Sequence, residues 1–87
     1  DPKIAALNAG VALPDKDITP VARAESSGTT AIFTEYLNKK NPAVTASKSP
    51  KWAEGVAAKA ENAGIAEFVK STPGTIGYVE LAFAKNN

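Results

Sequence analysis

Two short stretches carrying β-branched residues, ITPVARA (18–24) and TIGYVEL (75–81), are the segments of this 87-residue chain that read as strands, and each stands among helical sequence. The expected order is helix, strand, helix, helix, strand, helix. That is an α/β order. Strands so few and so short do not make a self-sufficient sheet, which points to a unit that is part of something larger. At this length residues 1–87 form one domain, able to bury somewhat over roughly 60% of the unfolded surface in a single modest core.

Local signals place the remaining elements. Asp1 and Pro2 open a helix, since aspartate caps free amides and proline loses no hydrogen bond at the first helical position, and the helix runs over roughly 2–8 until Gly10 stops it. In ITPVARA, Ile18 and Val21 are the anchors, and Pro20 belongs near the strand's start or on an edge because it donates nothing to a ladder. From Ser27 to Lys40, Ile32, Phe33, Tyr36 and Leu37 fall on one helical face, predicting a helix whose core side holds Phe33 and Tyr36. NPAVTASKSPKWAEG reads as a long irregular connection carrying Trp52, either a lid over a gap or a contact for a partner. ENAGIAEFVKS predicts a second helix on Ile65, Phe68 and Val69. TPG places Pro73 and Gly74 as a type II turn does. In the strand that follows, Gly77 marks close backbone approach by a neighbour and Tyr78 is half-buried. ELAFAKNN is helical until it frays.

Composition removes several chemistries. The chain has neither cysteine nor histidine. Disulfides, thiolate nucleophiles, zinc sites and Ser-His-Asp catalysis therefore drop out, no metal or cofactor is implied, and the expectation is that the protein is not an enzyme. Net charge is +1, with ten Lys/Arg spread among nine Asp/Glu, which is not the basic stripe that nucleic-acid binding needs. No run approaches the ~20 apolar residues of a membrane span.

One motif carries chemistry: RAESSGTT, residues 23–30. If Arg23 ends a strand and a helix starts near Ser27, the amides of Ser27, Gly28, Thr29 and Thr30 are the free donors of a helix N-terminus, where anions bind. Gly28 lets an oxyanion approach the backbone, and Ser27 and Thr29 add hydroxyls. Arg23 adds a planar fork suited to two oxygens of a tetrahedral anion, with Glu25 holding the guanidinium in place. The same residues also read as a plain capped turn with a surface ion pair. Asp15, Asp17 and Glu54 read as solvated loop charges.

The run ITPVARAESSGTTAIFTEYL, with DPKIAALNAGVALPD before it and STPGTIGYVELAFAKNN near the C-terminus, resembles the periplasmic phosphate-binding proteins that feed ABC-type phosphate importers. The resemblance implies a partial lobe of a type II periplasmic-binding-protein-like α/β fold. It implies phosphate binding by Arg23, Ser27, Gly28 and Thr29, with Glu25 where the family's aspartate braces the arginine. It also implies a complementary lobe and importer membrane subunits as partners, and a periplasmic or cell-surface location. Glu25-Ser26 stands where the family has Asp-Gly. Alanines replace glycines around KWAEGVAAKAENAGIAEFV, predicting a more helical segment there than in relatives. A rival expectation is a self-associating fragment, dimerising through exposed strand edges, with a vestigial anion site.

Overall fold

A computed structural model describes residues 1–86. Its elements are α1 (Pro2–Leu7), β1 (Thr19–Arg23), α2 (Gly28–Lys40), β2 (Ala57–Lys59), α3 (Glu61–Ser71), β3 (Thr75–Ile76) and α4 (Leu81–Lys85). The strands form one parallel sheet in the order β2-β1-β3.

The strand that bears Arg23 is thus central. Its C-terminal half pairs with β2, Val21 to Ala57 and Arg23 to Lys59, and its N-terminal half pairs with β3, Thr19 to Thr75. This staggered pairing accommodates Pro20 inside a central strand, because β2 joins only at Val21 and loses no rung to the missing N–H. Val21 and Ala22 are buried at the sheet's middle, and α3, which carries the buried Ile65, packs on their strand. Gly77 follows β3 directly. A Cβ there would stand 2.9 Å from Ile65 Cγ2 and 3.1 Å from Val69 Cγ2, so the chain passes under α3 only because this residue has no side chain. Gly74 takes φ +82°, the conformation its turn requires.

Three expectations are corrected. The chain before α3 is not simply an irregular connection: residues 57–59 are a strand, held extended by pairing with β1. The last strand covers only Thr75–Ile76: its pairing with β1 ends at Pro20 and Ile76, and farther along β1 the Arg23 amide goes to the Tyr78 hydroxyl. The third correction concerns α2, whose buried residues are Thr30 and Thr34, while Ile32 and Tyr36 are 72% and 57% exposed and Phe33 and Leu37 half-buried. The reason is polar. The Thr34 hydroxyl donates to the Thr30 carbonyl (2.8 Å) and accepts from the Ser47 amide (2.9 Å), so the 41–56 connection seats against the threonine face. Tyr36 instead lies outside, with Lys40 Nζ 5.7 Å from its ring centre.

Candidate functional site at the head of α2

Arg23 ends β1 with its side chain only 10% exposed, close to the first turn of α2. Ser27 is the N-cap: its hydroxyl accepts from the Thr30 amide at 3.2 Å, fixing where the helix begins. The Ser27 amide is not free, contrary to the sequence expectation, because it donates to the Lys48 carbonyl at 2.9 Å. Of the four amides expected as donors, Gly28 and Thr29 therefore keep theirs uncommitted among the described residues. A Cβ at Gly28 would meet nothing within 4 Å, so the helix mouth is open.

The guanidinium is held from two sides. Glu25 accepts from Nε at 3.1 Å and from Nη2 at 3.0 Å, the bidentate fork that fixes a guanidinium plane. Asn62 Oδ1 accepts from Nη1 at 3.4 Å. Three of the five guanidinium N–H bonds are thereby used, leaving one on each terminal nitrogen. The hydrogen bond to Glu25, chiefly, raises the arginine's pKa further above its ordinary value.

Glu25 has a second task. Its Oε2 accepts from the Glu61 amide at 2.9 Å, at the first residue of α3, whose own N-cap Ala60 offers no side-chain bond. Glu61 sits at φ +60°, a conformation disfavoured for a residue with a Cβ, and the carboxylate meets its N–H there. One side chain thus caps α3 and braces Arg23 at once. The Arg23 hydrogen bond, then bonds from its own backbone and from Glu61, hold the Glu25 carboxyl at about 2 instead of 4.5. Because the folded value is depressed, this stabilisation is complete above pH ~4.5 and disappears as pH falls through about 2. Glu25→Gln is expected to lose stability at neutral pH and to close its gap with the parent chain between those values, read as thermal midpoints across pH.

Tyr78 joins the two sides of the site. Its hydroxyl accepts from the Arg23 amide at 3.2 Å and shares a 2.6 Å hydrogen bond with Thr30 Oγ1, and its ring stacks on Phe33 at 4.3 Å. Trp52 adds a tilted ring 6.3 Å away. Tyr78→Phe keeps the stack but strands the buried Thr30 hydroxyl and the Arg23 amide. It is expected to cost about 1–3 kcal/mol in chemical denaturation, whereas no change in the unfolding midpoint would show the hydroxyl to be idle. Sequence reading placed Tyr78 as half-buried and missed these bonds, which span 55 and 48 residues. Asn62 was likewise visible only as part of a segment. Asp15, Asp17 and Glu54 are exposed.

A family model described as the PBP superfamily domain matches residues 4–87. The chain belongs to the PBP superfamily. Among the most similar relatives of this PBP-superfamily chain are the phosphate-binding protein PstS of Pasteurella multocida, 46% identical, and that of Haemophilus influenzae, 45% identical, each aligned over 100% of the chain and over 26% and 27% of the relative. The phosphate-binding protein PstS of Methanocaldococcus jannaschii is 43% identical over 97% of the chain and 24% of its own length. The chain thus spans about a quarter of the length of the curated relatives it matches.

Proposed function

We propose that this chain is the arginine-bearing part of a phosphate site in the solute-binding component of an ABC-type phosphate importer, and that it binds phosphate without turnover. The observation that carries the reading is a braced Arg23, with two N–H bonds to spare, beside the uncommitted Gly28 and Thr29 amides. Phosphate as the anion is supported by identity, over the whole chain, to proteins named for binding it.

In this reading two phosphate oxygens take the free guanidinium N–H bonds. The others take the Gly28 and Thr29 amides and the Ser27 and Thr29 hydroxyls, at the positive end of the α2 dipole. Glu25 makes no contact with the anion and keeps the fork aimed. The site is completed by a complementary lobe of the longer protein, which acts in the periplasm or at the cell surface and delivers phosphate to membrane subunits. Charge-assisted bonds contribute about 1.5–3 kcal/mol each, yet an open half-site leaves the anion largely in water. The isolated chain is therefore expected to bind no tighter than about millimolar, some −4 kcal/mol. Phosphorus NMR of inorganic phosphate tests this: saturable line broadening by the chain is expected, and lines that stay sharp at every protein concentration would sink it.

A second reading, self-association, is favoured by the exposed Ile32 (72%) and Leu81 (66%), which border one groove together with Tyr36. A sedimentation coefficient that rises with concentration is expected, and a concentration-independent monomer refutes it.

A further inference from the structure

The bond between Asn62 and Arg23 extends the proposed site to a residue outside the helix mouth. Asn62 is the second residue of α3 and half-buried. Its Oδ1 accepts from Arg23 Nη1 at 3.4 Å and from the main-chain amide of Glu80 at 3.1 Å. Glu80 is the N-cap of α4, its carboxylate accepting from the Ala82 amide. Asn62 therefore stands where the end of β1, the start of α3 and the start of α4 converge. Its neighbour Glu61 is fixed by Glu25, the same carboxylate that grips the opposite edge of the guanidinium.

We propose that Asn62 is a positioning residue: by holding Nη1 it stops the guanidinium from rotating out of the plane that Glu25 sets, so that the two spare N–H bonds keep one direction. The inference rests on the phosphate reading for its functional consequence. Glu25 alone, on Nε and Nη2, leaves both Nη1 protons without a partner, so that only the partial double bond of the planar cation slows rotation about Cζ–Nη1. With Asn62 in place, one Nη1 proton is committed and the other is presented together with its Nη2 counterpart. An asparagine suits the place chemically. Its oxygen accepts two bonds, as observed, without adding a negative charge beside an anion.

Nitrogen-15 NMR of the guanidinium decides the matter, and Arg23 is the only arginine in the chain, so its signals need no sorting. In the phosphate-free protein, rotation about Cζ–Nη1 and Cζ–Nη2 is expected to be slow. Asn62→Ala is expected to free Nη1 alone while Nε and Nη2 keep their Glu25 partner, and Asn62→Asp, which preserves the acceptor, is expected to restore slow rotation. Titrated with inorganic phosphate, Asn62→Ala should bind about fivefold more weakly, the loss of roughly 1 kcal/mol. Fast Nη1 rotation in the parent chain overturns the proposal even if Asn62→Ala does not fold. So does unchanged rotation in Asn62→Ala, or unchanged phosphate affinity where rotation is freed. A parent chain that ignores phosphate while showing the slow Nη1 rotation and its loss would overturn the phosphate reading and, with it, the functional consequence drawn here.

Discussion

Arg23→Ala is expected to abolish saturable phosphate binding. The substitution takes away both spare N–H bonds and the one full positive charge in the constellation, leaving two amides and two hydroxyls to hold a dianion in water. Each charge-assisted bond lost costs about 1.5–3 kcal/mol, so two of them come to about 3–6 kcal/mol, comparable to the whole of the roughly 4 kcal/mol available to a millimolar half-site. Arg23→Lys discriminates between charge and geometry. A lysine keeps the charge but has no planar fork, so it cannot serve Glu25 with two parallel bonds and the anion with two more. Binding more than about tenfold weaker than the parent is therefore expected for the lysine variant, with the Glu25 carboxyl shifting back toward its ordinary value as the bidentate partner goes. Phosphate titration of Arg23→Ala and Arg23→Lys beside the parent checks both expectations, and an alanine variant that binds like the parent would remove Arg23 from the site.

The second large effect concerns the fold. Ile65 is 1% exposed and is the largest fully buried side chain, lying between α3 and the sheet. Ile65→Ala deletes three carbons from this spot and is expected to cost about 2–5 kcal/mol, a large share of what so small a domain possesses. Gly77→Ala attacks the same contact from below, pushing a methyl group to 2.9 Å from Ile65 Cγ2 and 3.1 Å from Val69 Cγ2, and is expected to cost about 1–3 kcal/mol. The two changes should not add. With Ile65 truncated, the new methyl at position 77 enters the space left behind, so the double variant is expected to be less destabilised than the sum of the singles. Denaturant unfolding of the four chains measures the coupling. Strict additivity would show that Gly77 and Ile65 do not press on one another.

The physical reach of sequence reading differs from element to element. α2 and α3 were legible because the spacing of Ile32, Phe33, Tyr36 and Leu37 and that of Ile65, Phe68 and Val69 are local signals. β2 was not, because Ala-Ala-Lys carries no β-branched residue and is extended only through its pairing with Val21, Ala22 and Arg23. The face of α2 was misread since apolar spacing says which residues share a side, not what lies opposite. Here the partner is the polar 41–56 connection, and Thr34 satisfies the amide and carbonyl of its Ser47. The Arg23–Glu25 pair lies two residues apart and could be anticipated. The contributions of Asn62, Tyr78 and the Glu61 amide depend on long-range folding and left no local trace. Gly77 was the exception, a single residue whose missing side chain announced close packing.

If Arg23 and the first turn of α2 grip an anion as one unit, an amide NMR titration of the phosphate-free chain with inorganic phosphate, with sulfate as competitor, registers it at those residues. Saturable shifts centred on Ser27, Gly28 and Thr29, with a midpoint near or above millimolar and absent in Arg23→Ala, are expected. A well-dispersed spectrum that does not respond to phosphate at tens of millimolar would contradict it, leaving a fold that keeps the architecture of the site without its function.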